Sequence, residues 1–338
     1  MRTPGRLLSA LPALLVVAAL AGCSSDKPPT APVVATGPPL LLGFISDRPP
    51  GRPQVNMFWF ADLQEGGAPF LTPNVNSSDG NAGPSALSGD GSTLCFQGSR
   101  IYIGTLAQIT LMDVATGVLR LPARTRLLSG PSNPSLSYDG RYLATNYGVG
   151  TNDPFAQAIA VEDLQTGTLL PLPNINDPNL TNWDPSLNGD GTLIAFSQGS
   201  VVYDVKLYSV PGDSMIDLPG LNTAQQDLGP SISADGRYIA FQSGRAGGVG
   251  LIDVYLYDRN TSSLVPLPGL NTAFADVQPA ISPDGRYIAY MTEAEGGDDI
   301  RLYDVQQKKR VPLADGINDP IHPDQYPILA NRPPTIAR

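Results

Sequence analysis

One phrase recurs five times in this 338-residue chain: PSALSGDGSTLCF (84–96), PSLSYDGRYLAT (134–145), PSLNGDGTLIAF (185–196), PSISADGRYIAF (230–241) and PAISPDGRYIAY (279–290). Its aspartates, Asp90, Asp139, Asp190, Asp235 and Asp284, stand 49, 51, 45 and 49 residues apart. A near-constant period of this length means one supersecondary unit repeated, each copy burying its apolar surface against its neighbours. Within a copy, Pro-x-apolar-Ser starts a short strand. Asp-Gly makes a tight turn, because the carboxylate holds nearby backbone N–H groups and glycine accepts a positive φ. A second strand follows. In RYIAFQS (237–243), Ile239 and Phe241 point one way and Tyr238, Ala240 and Gln242 the other. Neither face is polar throughout, which predicts a sheet covered on both sides.

A second hairpin follows each copy, in the forms ITLMDVATGVLRLP (109–122), AIAVEDLQTGTLLPLP (158–173), VKLYSVPGDSMIDLP (205–219), VYLYDRNTSSLVPLP (254–268) and IRLYDVQQKKRVPL (300–313). One period is therefore four short strands, the pattern of a propeller blade. The ends complete the count. LLLGFISDR (40–48) and NMFWFADLQEGGAPFLT (56–72) read as strands two to four of a blade without its first strand. DQYPILA (324–330) reads as a lone first strand, and Pro327 lies 48 residues after Pro279. The expectation is an all-β, six-bladed propeller of four-stranded antiparallel blades over 40–332. One blade is closed by N- and C-terminal strands, and 333–338 form a tail.

The unit S-x-D-G-x-x-I-A-F, followed by an apolar-Tyr-x-x-Asp strand as in Asp253–Asp258 and Asp299–Asp304, resembles the repeat of TolB-like (WD40-like) β-propellers. The resemblance covers 40–330 and implies the fold. TolB itself carries an α/β domain before its propeller and no lipid, so the likeness is to the propeller alone. Propellers host many functions, and the likeness does not choose among them.

The first forty residues read as an address. Arg2 and Arg6 precede an apolar run from Leu7 to Ala21, a signal-peptide layout too short for a membrane span. Leu20-Ala21-Gly22-Cys23 resembles the lipobox of bacterial lipoproteins. That implies cleavage of 1–22, lipid on Cys23, and anchoring in the cell envelope. With Ser24 after the cysteine, the resemblance points to the outer membrane, facing the periplasm. Residues 23–39 are then a Pro-rich, extended tether. Cleavage removes two arginines and lowers the net charge from −10 to −12. This acidity, with 21 Lys+Arg and no basic run, argues against nucleic acid as a partner.

Catalytic signatures are sparse. The one histidine, His322, sits in DPIHPDQYP and reads as loop packing, so a Ser–His–Asp triad has little support. No H-E-x-x-H, C-x-x-C, phosphate loop or G-x-S-x-G occurs. Cys95 reads as a buried strand thiol. The Asp-Gly context explains the five turn aspartates as structural. A functional constellation is offered instead by Asp227, Asp276 and Asp324, each three residues before the inner-strand proline. Asn81 and Asn182 stand at matching positions, with Asp79 and Asp184 close by. Inner strands line a propeller's channel, so Asp184, Asp227, Asp276 and Asp324 are candidates to gather at one mouth. There they would hold Ca²⁺ or a polar ligand, or each would cap its own loop backbone. Two expectations follow. One is a non-enzymatic scaffold binding an envelope protein or polymer. The other is a carboxylate-based hydrolase or lyase, or cation-dependent binder, at the channel mouth.

Overall fold

The computed structural model describes residues 39–46, 57–63, 69–71, 85–98, 108–150, 156–294, 297–318, 323–334 and 336. Residues 1–38, including Cys23 and the tether up to 38, lie outside these, as do Asp79, Asn81 and His322.

Twenty-four strands form six four-stranded antiparallel sheets. In chain order, blades 1 to 5 begin with inner strands Ser85–Leu87, Ser132–Leu136, Thr181–Leu187, Asp227–Ile232 and Asp276–Ile281. Blade 6 is composite. Its inner strand Asp324–Asn331 pairs with Leu40–Ser46, which pairs with Met57–Asp62 and then Pro69–Leu71. The six inner strands contact one another in sequence, and Asp324–Asn331 closes on Ser85–Leu87. Among the described residues the helical element is the 3₁₀ turn Thr125–Leu127.

The core is six slabs, one between each pair of adjacent blades. Ile239 and Phe241 pack with Ala195, Val205 and Leu207 of blade 3. Ala240, on the opposite face of the same strand, packs with Ile288 and Tyr290 of blade 5. Alternate residues of one strand thus serve two interfaces, which is why neither face is polar. Cys95 is one such core residue, and burial pushes its thiol pKa up.

The recurrent turn owes its constancy to a closed set of bonds. The Ser233 hydroxyl donates to Asp235 Oδ1 (2.6 Å) and accepts the Tyr238 N–H (3.0 Å), while the Arg237 N–H donates to the same carboxylate (2.9 Å). Asp90, Asp139 and Asp284 repeat this with Ser88, Ser137 and Ser282. In blade 3, Asn188 replaces the serine and Asp190 still accepts the Thr192 N–H. Gly236, at φ +71°, marks the left-handed step of the turn. Beyond it, Arg141, Arg237 and Arg286 reach Asp163, Asp258 and Asp304 at 2.7–2.8 Å. Each guanidinium also lies over the next tyrosine ring, 4.6–4.9 Å from its centroid.

Two sets of bonds stitch the blades together around the channel. At the end carrying the Asp-Gly turns, the turn end, backbone N–H groups donate blade to blade: Asn331 to Gly89, Asp90 to Tyr138, Tyr138 to Gly189, Gly189 to Ala234, and Ala234 to Pro283. Pro283 has no N–H, so the belt stops at the seam with blade 6. Deeper, the serine after the inner-strand proline of blades 2 to 4 accepts from the next blade: Leu187 N–H to Ser135, Ile232 N–H to Ser186, Ile281 N–H to Ser231 (2.9–3.1 Å).

Candidate functional site: the central channel

The inner strands enclose a cavity of about 480 Å³. At its other end, each described inner strand of blades 2 to 6 is broken by a bulge at the residue before the proline. Leu228 pairs with Gln242 but Ser231 with Ala240, so one extra residue sits on the inner strand. Blades 2, 3 and 5 shift likewise, and so does blade 6 where it pairs with Leu40–Ser46. Proline cannot donate to the ladder, and a bulge accommodates it while re-aiming the residue before it. Those residues are Asn133, Asp184, Gly229, Gln278 and Tyr326, with φ of +46°, +52°, +62°, +53° and +51°. All five line the channel. Four non-glycine residues in the left-handed region, each at a cost of about 1–2 kcal/mol, need a compensating return. Part of it is hydrogen bonding to the neighbouring blade. The Gly229 N–H donates to Ser197 Oγ (2.9 Å), that of Gln278 to Gln242 Oε1 (2.7 Å), and that of Tyr326 to Gln278 Oε1 (3.1 Å).

The four expected carboxylates part company here. Asp184 is one of the bulge residues and faces the channel. Asp227, Asp276 and Asp324 are fully buried, away from the channel lining, and cap the loops entering their strands. Asp227 accepts the Thr223 N–H (2.6 Å) and pairs with Arg245 (2.7 Å), whose guanidinium lies over Phe241 and Tyr255. Asp276 accepts the Thr272 N–H (2.5 Å), and its pKa is raised by burial. Asp324 accepts the Asn318 N–H (2.7 Å). Asn182 likewise bonds Asn176 (3.0 Å). Among the described residues no three His, Cys, Asp or Glu side chains gather closely enough to hold a metal. The geometry of these three aspartates is that of loop caps.

Two further side-chain sets escape a reading based on carboxylates. One is the bulge ring itself, whose signal is a residue that varies (Asn, Asp, Gly, Gln, Tyr) before an otherwise constant proline. The other is Asn176, Asn222, Asn271 and Asn318. Each amide bonds both backbone groups of a mid-blade residue, Ile159, Val205, Val254 and Ile300, at 2.7–3.1 Å.

Among the described residues Asp184 is the one charged side chain lining the cavity. Its Oδ1 accepts from Asn133 Nδ2 at 2.6 Å. Burial raises its pKa from 3.8 to about 6, and the Asn133 bond opposes that rise. The same lining includes the Gln242 and Gln278 amides, the Tyr326 phenol, the inner-strand prolines and Leu187, Leu228 and Ile232. The arrangement suits binding. General acid–base work by paired carboxylates needs a second acid within reach, and among the described residues the lining supplies Asp184.

Fold and channel together define a six-bladed propeller with a polar, weakly acidic central cavity. No protein-family model and no curated protein sequence matches the chain. Solved structures do. TolB from Acinetobacter baumannii is 18% identical with a TM-score of 0.63, over 86% of this chain and 67% of that one. A TolB-type protein of Agrobacterium tumefaciens is 15% identical with a TM-score of 0.53, over 88% and 99%. An oligogalacturonate lyase in complex with manganese is 14% identical with a TM-score of 0.52, over 77% and 71%. The fold is that of a TolB-like β-propeller.

Proposed function

We propose that this chain is a lipid-anchored scaffold of the bacterial cell envelope that binds a protein or envelope polymer without chemical turnover. The observation carrying this reading is an exposed apolar rim at the bulge end of the channel. Val201 (81% exposed), Val249 (66%), Leu251 (89%) and Phe274 (41%) sit on loops of blades 3 and 4 and on the connection into blade 5. Those loops are tied together. Gln226 Nε2 donates to the Val201 carbonyl and the Gly244 N–H to the Gln226 carbonyl. The Asp276 N–H donates to the Ile252 carbonyl. Apolar side chains held on a fixed rim mark a contact surface. Val118, Leu127, Leu169 and Met215 are also exposed, but stand singly on or beside the outer strands of blades 1 to 3. The signal-peptide layout and the lipobox-like Leu20–Cys23 support the anchoring.

The test is capture of partners from detergent-solubilised envelope by the full chain and by a Val201→Asp/Leu251→Asp variant. A partner retained saturably by the first and at least about tenfold less by the second supports the scaffold, since central contacts are worth more than about 1 kcal/mol each. Equal retention by both, or none by either, overturns the proposed face. Anchoring has its own readout: incorporation of labelled fatty acid, lost in Cys23→Ala.

A further inference from the structure

We infer that the bulge end of the channel is a receptor site for a single organic cation, a guanidinium or primary ammonium group, seated on Asp184. This deepens the binding function proposed above, but it stands on the cavity and not on the apolar rim.

Charge comes first. The cavity is lined from all six blades, yet among the described residues Asp184 is its one ionisable group other than the phenols of Tyr138 and Tyr326, and no cationic side chain lines it. In the next blade, Arg245 is committed to Asp227, the Leu221 carbonyl and two aromatic rings, and Arg237 to Asp258. Burial raises the pKa of Asp184 and the Asn133 hydrogen bond opposes the rise. A carboxylate in a low-dielectric cavity without a counter-charge is a site that gains most from an incoming cation.

Geometry comes second. The left-handed backbone at Asp184 and Asn133 turns both side chains into the cavity, and Asn133 holds Oδ1 (2.6 Å). Among the described residues no partner is recorded for Oδ2. One carboxylate oxygen is thus positioned and the other is open. Across the mouth, the amide of Gln278 and the phenol of Tyr326 supply acceptors and an aromatic face, the complement of a flat, donor-only group. Anions are disfavoured by the same carboxylate, and a neutral polyol would leave its charge unanswered.

Chemistry supplies the third strand of the argument. A cation binds the ionised carboxylate, so binding expels the proton that Asp184 holds at low pH. Affinity must then rise with pH up to the ionisation of Asp184 and level off above it. The described facing groups are the uncharged amides of Asn133, Gln242 and Gln278 and the phenols of Tyr138 and Tyr326.

The experiment uses n-butylguanidinium, which stays charged at every working pH, and its neutral isostere n-butylurea, followed by titration calorimetry or ligand-observed NMR on the full chain in detergent. Expected is saturable binding of the guanidinium at pH 8, roughly tenfold weaker at pH 5, with none of the urea. Asp184→Asn, which suits the left-handed conformation, abolishes it. Asp217→Asn, an exposed change just after the outer strand Ser214–Ile216, leaves it intact. Equal binding by Asp184→Asn, equal binding of the urea, a flat pH profile, or no saturable binding each overturns the site. A failed probe with a retained envelope partner removes this inference and leaves the scaffold. A bound probe without a partner does the reverse.

Discussion

Asp184 and Asp258 show how one residue type takes opposite roles within 75 residues of chain. The folded pKa of Asp184, about 6, lies above its ordinary 3.8. The folded state therefore holds this proton more tightly, and stability falls as pH rises through that interval. Asp184→Asn should raise stability by about 1–2 kcal/mol at pH 7.5, allowing for partial exposure, and leave it unchanged near pH 4. Thermal melts across pH 4 to 8 check it. Asp258 goes the other way. The Arg237 guanidinium holds its carboxyl below the ordinary value. Its contribution is present above 3.8 and is lost as pH falls through the lower folded value. Asp258→Asn should cost about 1 kcal/mol at neutral pH, with the deficit fading toward pH 2. The turn aspartates were legible in the sequence because Asp-Gly chemistry is local. Asp184 was named there as a channel-mouth candidate, but what sets it apart from Asp227, Asp276 and Asp324 was not legible. A strand pattern gives alternation, but it does not give the bulge that turns the residue before Pro185 toward the channel.

At the scale of the element, the bond from a side chain to a neighbouring segment decides which loops hold. Glu162 is fully buried on its strand Gln157–Asp163 and accepts three backbone N–H groups, those of Ala123, Arg124 and Thr125, at 2.7–3.0 Å. These fasten the 3₁₀ turn to blade 2. Glu162→Ala leaves the buried Thr125 N–H without its acceptor and returns those of Ala123 and Arg124 to solvent, and should destabilise by about 1–3 kcal/mol. Faster hydrogen exchange at residues 123–125 than in the turns of blade 4 is the accompanying signature. Nothing in VEDLQTG announces this contact, because its partners lie 37–39 residues away. The strands themselves were readable from period and turns. So was their order within each blade, since a hairpin repeated at fixed spacing leaves little freedom.

The ring as a whole depends on one blade assembled from both ends of the chain. Ending the chain after Pro323 removes Asp324–Asn331 and uncovers Leu40, Leu41 and Leu42, now fully buried. It also opens an unpaired inner edge. The expected outcome is loss of a cooperative thermal transition and of near-ultraviolet ellipticity. A melt within a few degrees of the full chain would show the ring closing without its last strand. This closure was visible in the sequence, because the half-blades at the two ends were complementary. The break in the belt at Pro283 was not, since it follows from which backbone groups meet across blades.

The composite blade also sets a mechanical polarity. Leu40 pairs with Asn331, and the Arg332 N–H donates to the Pro39 carbonyl (2.7 Å), so both chain ends leave at the turn end, opposite the apolar rim. A pull on the N-terminal segment against a load held at the rim therefore acts along Leu40–Ser46. That strand lies between two antiparallel neighbours, Asp324–Asn331 and Met57–Asp62. Force in this direction shears two ladders at once, with their hydrogen bonds loaded together. With the anchoring and the rim contact proposed above, the ring would be held from one side and grip from the other.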